Sequence, residues 1–185
     1  LYMEHDRLME KYKSFKNINL YIYEKFSEDF INEFSDKINW EHISYYHKLS
    51  EKYIRDFSNK VYWWDISKTQ KLSENFIRKY RNKLDWKLIT VYQELSEDFM
   101  REFADRITWK DISRYKKLSI PFIREFADKV DWNFICKYQK ITPSLIREFE
   151  NLVNWEKINE NQYLSKSFIK KFRGKVNKKY NESME

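Results

Sequence analysis

The hydrophobic positions of this chain follow two short alternating patterns that repeat together. Phe26, Leu49, Leu72, Leu95, Leu118, Ile141 and Leu164 recur every 23 residues, each followed by Ser or Thr. The Trp column keeps the same step, at Trp40, Trp63, Trp86, Trp109, Trp132 and Trp155. Within each unit, Phe30, Ile31, Phe34 and Ile38 form one apolar helical face, and Phe99, Met100, Phe103 and Ile107 repeat it. Trp40, Ile43 and Tyr46 read as a second such face. The pattern predicts two helices of about ten residues per unit. Helices that short are marginal alone, because nucleation is costly.

Polar positions mark where these helices begin. Ser27, Ser50, Ser73, Ser96, Ser119, Thr142 and Ser165 stand where a hydroxyl can accept an orphan N–H. Glu28, Glu51, Glu74, Glu97 and Asp98 follow, where the helix dipole favours acids. Pro121 and Pro143 fall in the first turn, which tolerates proline. The second helix is predicted to open at Asn39, Asp85, Thr108, Asp131 or Asn154, one place before the Trp. About eight apolar residues per unit, each contributing roughly 1.5–3 kcal/mol when fully buried, supply a core only if units stack. The expected fold is therefore all-α: an α-solenoid of about seven 23-residue two-helix repeats over residues 26–176. Residues 1–25, which keep Leu20 and Tyr23, are expected to be an irregular N-terminal cap, and 177–185 a polar tail.

The consensus unit, close to "LSEDFIREF...DW..IS.YQK", resembles the short helical repeat arrays of uncharacterised proteins from large DNA viruses and phages. The resemblance covers about residues 26–176, with departures at Tyr80, Leu145 and Lys178. It implies a helical repeat fold and a viral origin, and it brings no catalytic motif with it.

Composition narrows the chemistry. A single glycine, Gly174, cannot build a phosphate-binding loop or a dinucleotide fingerprint. The histidines are His5, His42 and His47; the closest pair, five apart, lies about 140° apart around a helix, which argues against a metal site. Cys136 shares a column with Ser44, Ser67, Thr90, Ser113 and Asn159, and reads as a small packed filler rather than a nucleophile. Neither an enzyme nor a cofactor is expected. No run of 18 apolar residues occurs and the N-terminal stretch is highly charged, so the reading is an intracellular, cytoplasmic protein without membrane insertion.

Two polar columns remain. Arg55, Arg78, Arg101, Arg124 and Arg147, continued by Lys170, line up as a ladder, with Asp105 and Asp128 placed to pair with Arg101 and Arg124. Gln70, Gln93, Gln139 and Gln162 are expected to hydrogen-bond between neighbouring units. Net charge is +7, and seven of the 36 basic residues lie in 165–179 with no acid among them; the other 29 are matched by 29 acids. A nucleic-acid groove along a solenoid would spread its charge over many units, and this chain does not.

Positions that vary from unit to unit are free of the stack. On the second helix these are the two after the Trp and the one three further on, on the side away from Trp, Ile and Tyr. Tyr45, Trp64, Leu88, Val91 and Phe134 put apolar groups there, with Lys68, Arg114 and Lys137 among them. An exposed apolar patch rimmed by charge marks a protein-binding surface, so the leading expectation is a non-enzymatic interaction scaffold for a protein partner. The alternative is an anionic ligand, nucleic acid or a small nucleotide, held by Arg101, Arg124, Arg147, Lys170, Lys171 and Arg173. The doubled Trp63 and Trp64 separate the two roles, one for the stack and one for the partner.

Overall fold

The computed structural model describes residues 26–161 and 164–176, so the expected N-terminal cap, the C-terminal tail and Gln162 lie outside the described residues. Thirteen helices and no strand occur among them, with the 23-residue period throughout. The fold is an α-helical repeat solenoid. First helices of the repeats are α1 (Glu28–Glu33), α3 (Glu51–Asp56), α5 (Glu74–Lys79), α7 (Glu97–Glu102), α9 (Ile120–Glu125), α11 (Pro143–Glu148) and α13 (Lys166–Lys171). Second helices are α2 (Trp40–Tyr46), α4 (Trp63–Thr69), α6 (Trp86–Tyr92), α8 (Trp109–Tyr115), α10 (Trp132–Tyr138) and α12 (Trp155–Asn161). The chain divides after Glu94 into two compact units. In the first, α2, α4 and α6 lie side by side; in the second, α8, α10 and α12 do.

The helices are six and seven residues long rather than ten. The cap sets the start: the Ser27 hydroxyl accepts from Phe30 N–H at 3.2 Å, and Ser50, Ser73, Ser96, Ser119, Thr142 and Ser165 do the same in their repeats. The stop is Phe34, whose φ of −101° and ψ of 18° leave the helical region. Beyond it the Lys37 N–H reaches back three residues to the Phe34 carbonyl at 2.8 Å, a 3₁₀-type tightening that turns the chain. Phe34 and Ile38 are therefore buried as expected, but from a turn rather than from a third helical turn. The second helices start at caps as predicted where Asn39, Asp85 and Asp131 accept N–H groups. Thr108 departs from that expectation, since its side chain makes no cap hydrogen bond.

Side chains from one repeat complete the backbone of its neighbour. Gln70 accepts the Leu49 N–H at 2.9 Å and donates to the Ser44 and His47 carbonyls at 2.9 and 2.7 Å. Gln93 repeats this on Leu72, Ser67 and Gln70, and Gln139 on Leu118, Ser113 and Lys116. The expected inter-repeat role of the glutamines is thus met at all three described positions. Each is buried, so both ends of the amide need partners, and a backbone donor with two carbonyls supplies them.

Two more columns cross the repeat boundary. The hydroxyls of Ser44, Ser67 and Ser113 accept the N–H of Tyr62, Asp85 and Asp131 at 2.9–3.0 Å. Cys136 occupies the same place, fully buried, with the Asn154 N–H on its sulfur; burial pushes its thiol up to about 11, which is the opposite of nucleophile activation. The acids at the helix starts do more than meet the dipole. Glu28 accepts the Ser50 N–H at 2.9 Å and Glu97 the Ser119 N–H at 2.6 Å, each in the following repeat.

The Trp column holds the stack from its flank. Trp40, Trp63, Trp86, Trp109 and Trp132 each donate the indole N–H to the carbonyl five residues back, at 2.8–3.1 Å. Their rings meet the aromatic of the next first helix: Trp63 lies 5.0 Å from Tyr80 and Trp109 4.7 Å from Phe126. Tyr46, expected on the same face, is 51% exposed instead. At about 100° per residue it lies roughly 240° around from Trp40, outside the arc set by Trp40, Ile43, Ser44 and the following Gln column.

Candidate functional site

The variable face of the second helices is where the predicted contact residues fall, and they divide into two groups. Trp64 is 52% exposed and Tyr45 38%, and Arg114 and Lys137 are also exposed. Lys68, Leu88, Val91 and Phe134 are half-buried. In the first unit the face gathers Tyr45, Trp64 and Lys68, with the Lys68 ammonium 4.9 Å from the Trp64 ring and 5.6 Å from the Tyr45 ring. Leu88 and Val91 lie on α6 of that unit. In the second, the Arg114 guanidinium lies 5.5 Å from the Phe134 ring, and the Lys137 ammonium 5.1 Å from the Tyr138 ring.

Sequence reasoning missed the largest exposed group on these helices. Tyr46 and Tyr92 in the first unit and Tyr115 and Tyr138 in the second are each about half exposed. By i,i+3 steps from Trp40 and Ile43, Tyr46 reads as part of the apolar face, and Tyr92, Tyr115 and Tyr138 share its column with Thr69 and Asn161. The angular count from the Trp, about 240° at six residues on, was the signal that separates them from Ile43. Stacked cations cover part of these rings, as Arg114 does for Tyr115 at 4.9 Å.

Between α2 and α4 lies a cavity of about 380 Å³, walled by Glu41, His42, Tyr45 and Tyr46 from one helix and Trp64 and Asp65 from the other. The rings form an angular wall: Tyr45 and Tyr46 meet edge to face at 4.6 Å, and His42 lies against Tyr46 at 4.6 Å. Asp65 is only 6% exposed. Burial holds its carboxyl above the ordinary 3.8, the Glu41 carboxylate adds to the effect, and the Lys68 ammonium opposes it. Burial also lowers His42 below its ordinary 6.5, which keeps the imidazole neutral near pH 7, and its Nε2 meets no hydrogen-bond partner among the described residues. His42 and Asp65 were visible as variable positions, but nothing in the sequence placed them in one cavity.

The raised Asp65 value carries a sign for stability. The folded state holds the Asp65 proton more tightly than the unfolded chain, so this group's contribution falls as pH rises from 3.8 through the folded value and stays low above it. With His42, Glu41 and Lys68 unchanged around it, Asp65→Asn is expected to melt higher than the parent at pH 7. The gain should shrink towards zero below pH 3.8. Thermal melts of both proteins across that range check it; a variant that melts lower at pH 7 counts against a strained carboxylate.

The basic ladder is largely neutralised where it was expected to bind anions. Arg101 pairs with Glu125 of the next repeat at 2.7 Å and with Asp98 at 2.9 Å, and Arg124 pairs with Glu148 at 2.7 Å. Asp105 and Asp128, the partners expected from i,i+4 spacing, are not used: Arg101 turns to Glu125 one repeat on and back to Asp98 on its own helix, and Arg124 to Glu148. Arg147, Lys170, Lys171 and Arg173 are exposed and make no ion pair with a described residue. Among the described residues no group of three or more His, Cys, Asp or Glu is placed to hold a metal ion, and no helix is long and apolar enough to cross a membrane.

No protein-family model, no curated protein and no solved structure matches the chain.

Proposed function

We propose that this protein is a non-enzymatic interaction scaffold that recognises a protein partner through the outer face of its second helices. The observation that carries the reading is the half-exposed aromatic set there: Tyr45, Tyr46, Trp64 and Tyr92 in one unit, Tyr115 and Tyr138 in the other. Tyr, Trp and Arg combine large contact area with polar tips, and they dominate interface energetics once water is excluded. A face that was only solvated would carry charge at these positions. The viral setting, with a host protein as partner, rests on the resemblance of the repeat alone.

The second reading, an anionic ligand, is favoured by one observation only: Arg147, Lys170, Lys171 and Arg173 make no ion pair with a described residue. Salt separates the two. A partner captured by the wild-type chain should stay bound as salt rises from roughly 50 to 200 mM, whereas phosphate contacts lose affinity steeply over that range. Trp64→Ala combined with Tyr138→Ala should lose at least about ten-fold of the binding, equivalent to about 1.4 kcal/mol. Binding that vanishes with salt and with Lys170→Glu, Lys171→Glu and Arg173→Glu, yet survives the aromatic pair, would replace the scaffold reading by the anionic one.

A further inference from the structure

The cavity between α2 and α4 combines three things that a plain protein-contact face does not need: an aromatic wall, a carboxylate of low exposure and no hydrogen bond or ion pair to that carboxylate from a described residue. Trp64, Tyr45 and Tyr46 present ring surface to it, and ring faces attract cations. Asp65 is nine-tenths buried, yet its carboxylate makes no hydrogen bond or ion pair with a described residue. A carboxylate can only accept, so one that lines an open cavity with no hydrogen bond from a described residue is suited to a donor that arrives from outside. Glu41 adds a second negative group at the exposed side of the same wall.

We propose that this cavity receives the ammonium of a lysine side chain, one that keeps at least one N–H, presented by the protein partner. The inference deepens the scaffold reading and rests on it for the source of the lysine. An N–H is required because Asp65 can only accept, while the rings take up the methylenes and the spread charge. A volume of about 380 Å³ admits a lysine side chain. His42, held neutral, adds no competing charge. The chain itself shows that these rings accept an ammonium: Lys68 sits 4.9 Å from Trp64 and 5.6 Å from Tyr45. Lys68 lies outside the cavity wall and forms no ion pair with Asp65, so it neighbours the site without filling it.

The test titrates Nα-acetyl-lysine amide into the full chain and follows the Trp64 indole N–H by NMR. Saturable shifts are expected with the lysine amide and its mono- and dimethyl forms. Binding should be at least ten-fold weaker for the neutral norleucine isostere, and several-fold weaker for the trimethyl form, which has no N–H. Asp65→Asn should lose at least ten-fold, and Lys68→Met should bind several-fold more tightly, because it removes a positive neighbour. Equal binding of norleucine, no saturable shift, or an Asp65→Asn variant that binds as well as the parent overturns the proposal. Partner capture through Trp64 and Tyr138 that persists in Asp65→Asn would leave the scaffold standing with its lysine site lost. A lysine amide that binds while no protein is captured would fail the scaffold and keep the ammonium site.

Discussion

Replacing Gln70 by leucine is expected to lower the unfolding free energy by about 3 kcal/mol. The side chain is 5% exposed and its volume is nearly kept, so packing is not the cause. The loss comes from partners left behind. The Leu49 N–H and the His47 carbonyl lose the group that satisfied them, at about 1–3 kcal/mol for each buried orphan. The Ser44 carbonyl keeps the Thr69 hydroxyl at 3.0 Å and suffers less. Gln70→Glu separates the terms, because a carboxylate still accepts from Leu49 but donates to neither carbonyl. Urea midpoints with a constant m-value would measure both variants. A Gln70→Leu loss below about 0.5 kcal/mol, the range of an ordinary surface change, would show that the glutamine bridges do not bind repeat to repeat.

Adjacent tryptophans should answer to the same mutation to very different extents. Trp63→Ala is expected to cost about 3 kcal/mol. It removes the indole N–H to the Ser58 carbonyl, the stacking on Tyr80 at 5.0 Å and the Lys83 ammonium at 5.2 Å, besides the apolar area. That is the low end of the roughly 3–5 kcal/mol for a fully buried Trp, because Trp63 is half-buried. Trp64→Ala should cost under about 1 kcal/mol, since the ring is 52% exposed and its one close charged contact is Lys68. Denaturation of the two variants side by side decides the matter. A Trp64→Ala protein that unfolds with Trp63→Ala would place Trp64 in the core and remove the anchor of the proposed contact face.

Period, caps and the inter-repeat glutamines could all be read from residues, because each is a local rule repeated: a hydroxyl before a helix, an apolar arc, an amide beside it. What escaped was whatever depended on angle or on the neighbouring repeat. Helix length was overestimated because the apolar run through Ile38 continues across a turn that keeps the same residues buried. Tyr46 follows Trp40 and Ile43 by i,i+3 steps, but two such steps carry it about 120° from the Trp, and it stands half exposed. Arg101 was given Asp105, its partner by spacing within one helix, while the shorter reach was to Glu125 one repeat on. The Asp65 cavity was out of reach for the same reason, since its walls come from residues about 20 positions apart that meet only when α2 and α4 pack.

The glutamine, serine and glutamate bonds all span repeats, and two of the columns run in opposite senses. Gln70 serves the repeat before it, and Glu28 serves the repeat after it. A repeat in the array is therefore both donor of parts and recipient of parts, and no unit can be turned around without losing both. It follows that chain length is quantised within each compact unit. Loss or gain of a whole 23-residue period keeps the Gln, Ser and Glu columns in register with their backbone partners. A change of 22 or 24 residues would set Gln against a side chain and leave amides dry. Duplication in frame with the period is the route by which such a chain can grow without breaking the ladder.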